Sequence, residues 1–137
     1  MNKSVDVRWK QRFEHFTSAY QKLQHAMTAQ SADIHNDLYQ MALIKIFEMT
    51  FELAWKTIKD YVNYQGLDVS LPREVIKQGF EKNIIIDGQL WIDMLQERNL
   101  LTHTYDEVRA LQAIQKISQR YVKGIQQVHQ YFQERLV

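Results

Sequence analysis

The chain contains no cysteine in 137 residues, which excludes disulfides, thiolate-bound zinc and a cysteine nucleophile and suits a reducing compartment. Glycine occurs only 4 times and proline once. Turns are therefore few and helices long, and with Gln, Leu, Ile, Lys and Glu abundant the composition predicts an all-α protein. No run of 18 apolar residues is present to span a membrane, and Met1 to Arg8 leads into no apolar stretch. A soluble, cytoplasmic protein with no membrane partner is expected.

Catalytic frames common in nucleotide chemistry are missing too. There is no glycine-rich phosphate loop and no pair of carboxylates on a strand to hold magnesium. His15, His25, His35 and His129 have no metal-ligand spacing along one helix and read as surface or hydrogen-bonded junction residues. No metal and no cofactor are expected, and the chain is not expected to transfer nucleotides by itself.

Charge of one sign is also scarce overall, the formal net being +1, so no DNA partner is expected. The distribution is uneven: residues 1–25 hold five Lys/Arg against two Asp/Glu, residues 26–108 seven against thirteen, and residues 109–137 five against one. Basic ends flank an acidic middle. If the first and last helices lie side by side they form a basic strip, for which a solvated face is the simpler reading.

The length suits one domain, residues 1–137, with one sizeable core. Trp9, Phe13, Phe16, Tyr20, Leu23 and Met27 fall on one stripe of a first helix. A second helix is predicted from Asp33 or Asn36 to near Tyr64, with Gly66 placed to end it. It is apolar nearly all round, with Ile44, Phe47, Phe51, Ala54, Ile58 and Val62 on one side and Ile46, Met49 and Leu53 on another. Lys45, Glu48, Glu52, Lys56 and Lys59 form a narrow polar strip. Such a helix is central or packs on a second subunit.

Pro72 starts a short helix ending near Asn83, whose buried face is Val75, Ile76 and Phe80. Asp87 caps a helix through Leu90, Trp91, Met94, Leu95 and Leu101. Thr104 to Glu107 has capping-box spacing, and a last, uninterrupted helix runs through Ala110, Ile114, Ile117, Tyr121, Ile125, Val128 and Phe132. Four long helices and one additional short helix predict an antiparallel up-and-down four-helix bundle.

Chemistry concentrates where the fourth helix stops, at Arg98-Asn99-Leu100-Leu101-Thr102-His103-Thr104-Tyr105. A fixed guanidinium charge suits phosphate, an imidazole takes a proton near pH 7, and a phenol offers a hydroxyl. That set fits phosphate-ester chemistry. Without a metal, His103 would remove a 2′-hydroxyl proton, Arg98 would neutralise charge at phosphorus and Asn99 would orient a phosphate oxygen. The structural alternative is an ion pair of Arg98 with Asp93 or Glu97 and a hydrogen bond from His103 at the helix junction. A second cluster is Glu52, Trp55 and Lys56, read either as a helix salt bridge or as a nucleotide site in which Trp55 stacks a base and Lys56 meets a phosphate.

The run Ala42 to Tyr61, Pro72 to Lys77, Asp87-Gly88 to Trp91, and Arg98 to Tyr105 together resemble the nucleotidyltransferase substrate-binding protein family, within the HEPN group of helical domains. The resemblance implies a homodimer that pairs with a separate minimal nucleotidyltransferase in a two-component, toxin–antitoxin-like system and takes a nucleotide or RNA. In related pairs the HEPN member is a metal-independent ribonuclease, silenced by adenylylation of the Tyr in Arg-x4-His-x-Tyr. Arg98, His103 and Tyr105 occupy those positions, and the resemblance favours a functional site over the junction reading. Ile46 departs from the pattern, which implies an arginine there; Lys45 beside it is a replacement charge. Three expectations follow: a substrate-binding or target subunit, a ribonuclease toxin acting through Arg98 and His103 with Tyr105 as its off-switch, or a non-catalytic dimerisation scaffold.

Overall fold

A computed structural model of the chain describes residues 3–103 and 106–136, with side chains for residues 6–101 and 106–136. The described residues are all helical or irregular, without a strand: α1 (Lys3–Ala32), α2 (Asp37–Tyr64), α3 (Pro72–Glu81), α4 (Gly88–His103), α5 (Glu107–Lys116), a π-helical turn (Ile117–Tyr121) and α6 (Val122–Gln133). No helix among them is long and apolar enough to cross a membrane.

Local chemistry sets the boundaries. Asn36 caps α2, its Oδ1 accepting from the Tyr39 N–H at 3.1 Å. The helix ends at Gly66, whose φ of 96° is the left-handed conformation a side chain would disfavour. Pro72 opens α3, where its missing N–H costs nothing. Asp87 caps α4 by accepting from Leu90 N at 3.1 Å. The cap of α5 is Asp106, accepting from Val108 N at 2.9 Å, rather than the Thr104 expected from the capping-box spacing; Thr104 itself lies outside the described residues. A carboxylate accepts more strongly than a hydroxyl and stands nearer the apolar register.

The α1 stripe is core as expected: Trp9, Phe13, Phe16, Tyr20 and Leu23 are buried, and Met27 packs against them. α1 lies along α2, and α2 also meets α3, α5 and α6. That central position is what an all-round apolar helix requires. Its first apolar side is fully buried, Ile46 and Leu53 are partly buried, and Met49 remains exposed. Two polar ties join α1 to α2: Thr50 Oγ1 to the Ala19 carbonyl at 3.2 Å, and Arg12 Nε to Asp60 Oδ2 at 3.1 Å.

Three expectations need correction. Phe80 is 52% exposed instead of buried, because α3 ends one residue later and the ring falls beyond the edge of the core. His129 is neither a surface nor a junction residue: its ring sits mid-helix among Phe13, Phe16 and Tyr20 and is hydrogen-bonded to Thr17 Oγ1 at 2.9 Å. Burial there pushes its pKa below the ordinary value. The last helical run is also interrupted, since a π turn at Ile117–Tyr121 absorbs a residue between two packed stretches. At that turn Tyr121 stacks on Phe47, with ring centroids 5.7 Å apart, and donates to Glu97 Oε1 at 3.4 Å. Burial first, and the Glu97 carboxylate second, push the Tyr121 phenol up to about 12.

Candidate functional site

Two side-chain groups that are far apart in sequence meet at one corner of the molecule. Arg98, near the end of α4, places its Nε 2.6 Å from Glu52 Oε1 on α2. The other carboxylate oxygen of Glu52 accepts from the indole N–H of Trp55 at 3.1 Å and lies 3.9 Å from Lys56 Nζ. Arg98 also donates through Nη1 to Asn99 Oδ1 at 3.0 Å. Glu52 therefore ties the α2 cluster to the α4 motif.

The geometry follows from helix periodicity. Glu52, Trp55 and Lys56 occupy i, i+3 and i+4, so one carboxylate reaches both neighbours along its own helix. The same carboxylate faces away from the core, where α4 passes. Side-chain exposures of 25% for Arg98 and 32% for Glu52 leave the two side chains partly open to solvent, while the Arg98 Nε that makes the pair is itself covered.

An open hollow of about 230 Å³ borders this pair, lined by Lys45, Glu48, Met49, Glu52 and Arg98. Burial pushes the Glu48 carboxyl above its ordinary value and Glu52 pushes it further, while Lys45 and Arg98 oppose the rise. The hollow thus gathers two cations and two carboxylates, one of them reluctant to ionise. Such a lining can offer positive charge to a phosphate, with a carboxyl of raised pKa beside it.

The candidate residues fall into place unequally. Arg98, Asn99, Glu52, Trp55 and Lys56 come together, whereas the His103 side chain and the whole of Tyr105 lie outside the described residues. The expected alternative partners of Arg98 are engaged elsewhere: Asp93 with Arg120 at 3.1 Å and Glu97 with Lys116 at 3.4 Å. Trp55 is 6% exposed, so its ring is core and offers no open face to a base; its N–H fixes Glu52 instead. Ile46 packs partly buried against the core, and Lys45 beside it lines the hollow. Glu48 and Met49 were not singled out from the sequence as site residues. The polar strip on an otherwise apolar helix was the signal for Glu48, because Lys45, Glu48 and Glu52 share one edge.

Among the described residues no group of three or more His, Asp or Glu side chains is arranged to hold a metal ion. What remains is an all-helical protein with an ion-paired, solvent-reachable corner where its second and fourth helices meet. Residues 11–134 match the family described as nucleotidyltransferase substrate binding protein like, and the chain belongs to that family.

Among the solved structures similar to it are the following two. One, a crystal structure of a protein from Thermus thermophilus, is 26% identical with a TM-score of 0.64, the match covering 77% of this chain and 94% of that one. The other is the tri-AMPylated HEPN toxin of Shewanella oneidensis in complex with MNT antitoxin, 15% identical with a TM-score of 0.75, covering 98% of this chain and 99% of that one. At that identity the likeness is one of fold. No curated protein matches the chain.

Proposed function

We propose that this protein is the nucleotide- or substrate-binding subunit of a two-component, toxin–antitoxin-like system, and that its partner is a separate minimal nucleotidyltransferase. The observation that carries the reading is the junction of Glu52, Trp55 and Lys56 with Arg98 and Asn99 at one solvent-reachable corner. Membership in the substrate-binding family supports it, as does a fold shared with a HEPN toxin that was solved with an MNT antitoxin. In this reading residues 1–137 are one cytoplasmic domain, an up-and-down four-helix bundle with one short extra helix, and two copies form a homodimer. Arg98 and Lys56 supply charge to a phosphate, Glu52 sets the position of both, and Trp55 holds Glu52.

The test is co-expression with a minimal nucleotidyltransferase from the same genome, followed by capture through a tag on the partner and intact-mass analysis of this chain. Co-purification with a mass gain of one or more AMP units on Tyr105 is expected. A stable, folded chain with no affinity for that enzyme would overturn the reading.

A second reading follows from the same corner and from the fold shared with a toxin: a metal-independent ribonuclease. His103 takes the 2′-hydroxyl proton, the 2′ oxygen attacks phosphorus to form a 2′,3′-cyclic phosphate, and the bond to the 5′ oxygen breaks as that oxygen takes a proton from water, while Arg98 and Asn99 hold the phosphate and Tyr105 is the site of silencing. Expression of the chain alone then arrests growth and degrades RNA, and His103→Ala relieves both. Equal toxicity from His103→Ala would count against it.

A further inference from the structure

The solvent edges of α3 and α4 enclose a second open groove of about 530 Å³, separate from the Arg98 corner. Its lining is Arg73, Lys77 and Phe80 from α3, with Gln89, Ile92 and Gln96 from α4, over a floor completed by Ile76 and Gly88. No carboxylate lines it. That sets it apart from the Arg98 hollow, lined by Glu48 and Glu52, and from the hollows lined by Asp87, by Asp37 and Glu107, and by Asp93 and Glu97.

Arg73 and Lys77 stand four residues apart, which puts their Cβ atoms about 6 Å apart and two like charges on one helix edge. Among the described residues neither has an ion-pair partner. An anion between them would relieve that repulsion. One turn further along the same edge is Phe80, an aromatic ring 52% exposed where burial would have been favourable. The ring is seated against Gly88: a Cβ at that position would stand 3.2 Å from Phe80 Cδ2 and 3.3 Å from Cγ. Glycine at residue 88 thus lets the ring lie down at the groove floor. Gln89 and Gln96 line the same groove from α4; Gln89 Nε2 already donates to Asp93 Oδ1 at 2.9 Å, so Gln89 offers chiefly its amide oxygen, while amides in general both donate and accept.

Two cations, an exposed aromatic ring beyond them, and amides opposite match a ligand that joins a phosphate to a flat heteroaromatic ring. We propose that the α3–α4 groove binds a nucleotide, its phosphate between Arg73 and Lys77 and its base against Phe80. Gln96 precedes Asn99 by one helical turn on nearly the same face of α4, roughly 5 Å along the axis. The groove therefore leads toward the Arg98 corner, although binding in it does not depend on that corner's role.

The experiment is an amide NMR titration of the full chain with AMP, inorganic phosphate, adenosine and a short oligoadenylate. Saturable shifts at residues 73–80 and 88–96 are expected with AMP, and weaker ones with phosphate or adenosine alone. Tighter binding by the oligoadenylate would identify the source as an RNA strand; equal binding would identify a free nucleotide; either supports the site. Phe80→Leu should weaken AMP binding about tenfold by removing the stacking face. Arg73→Gln with Lys77→Gln should weaken it and flatten its salt dependence. Wild-type affinity in these variants would overturn the proposal. So would unmoved groove amides with AMP that respond instead to the nucleotidyltransferase, which would reassign the groove to a protein contact. Shifts confined to residues 45–56 and 98–99 would overturn this site while leaving the proposed function standing.

Discussion

Glu52 and Arg98, forty-six positions apart in sequence, form a 2.6 Å ion pair between α2 and α4, and the carboxylate that makes it is held from behind by the indole N–H of Trp55. The pair decides how mutations at the motif should behave. Because both side chains are a quarter to a third exposed, the ion pair is screened and contributes at most about 1 kcal/mol to folding. Arg98→Ala should therefore leave the midpoint of urea unfolding nearly unchanged while weakening binding of AMP or of the partner. A large loss of stability in Arg98→Ala would place the residue in the scaffold.

Arg12 and Asp60 make the opposite case. Asp60 is buried with 2% side-chain exposure, and Arg12 Nε lies 3.1 Å from its Oδ2. Removing the cation strands a carboxylate in the core, so Arg12→Ala should destabilise the fold by about 3 kcal/mol. Asp60→Asn keeps a polar group without the charge and should cost less, because the partly exposed guanidinium can turn to water. Chemical denaturation of the two variants side by side checks the asymmetry.

Much of this was legible in sequence because helices advertise their buried faces. The α1 stripe and the all-round apolar α2 follow from a 3.6-residue period, and Asn36, Gly66, Pro72 and Asp87 mark helix ends by local hydrogen bonding and backbone preference. The partner of Arg98 was not legible. Spacing exposes neighbours on one helix, such as Glu97 and Asp93, but not a carboxylate delivered by a different helix. The π turn at Ile117–Tyr121 has the same character, since it depends on the register between two packed surfaces. Phe80 carried the right spacing for burial and was misplaced because nothing in the pattern shows where the core ends.

His129 gives the fold a pH dependence. Burial among Phe13, Phe16 and Tyr20 lowers its folded pKa below the ordinary 6.5, so near pH 6 the unfolded chain binds the proton more readily. The contribution is complete above pH 6.5 and declines as the pH falls through that value toward the folded pKa. His129→Gln should flatten this segment of the stability profile, measured as urea midpoints from pH 7.5 to 5. An unchanged slope would assign the dependence to other groups.

Gly124 fixes how closely α6 approaches α4. A Cβ there would stand 2.6 Å from Leu90 Cδ2 and 3.3 Å from Trp91 Nε1, and both side chains are buried. Alanine would add about 1 kcal/mol of helix propensity, yet it overpacks a filled contact at a cost of about 1–3 kcal/mol. A net loss is expected for Gly124→Ala, read as a lower Tm; a gain would mean that Leu90 swings aside freely.

The last expectation concerns Glu52→Gln, which separates charge from geometry at the corner. The amide keeps one oxygen, which can accept from Trp55 or from Arg98 but not from both, since those donors now use different oxygens of Glu52; at this partly exposed corner the loss of the second contact should cost at most about 1 kcal/mol of folding stability. What disappears is the negative charge that now neutralises Arg98 and lies near Lys56. If these cations bind phosphate, AMP affinity at the corner should rise severalfold in Glu52→Gln and become more sensitive to salt, because less counter-charge competes. If the carboxylate itself contacts the ligand, for example by accepting from a ribose hydroxyl, affinity should fall instead. Titration of the variant at two salt concentrations, with binding read at the amides of residues 45–56 and 98–99, distinguishes a corner held in reserve by its own acid from one in which that acid is part of the recognition.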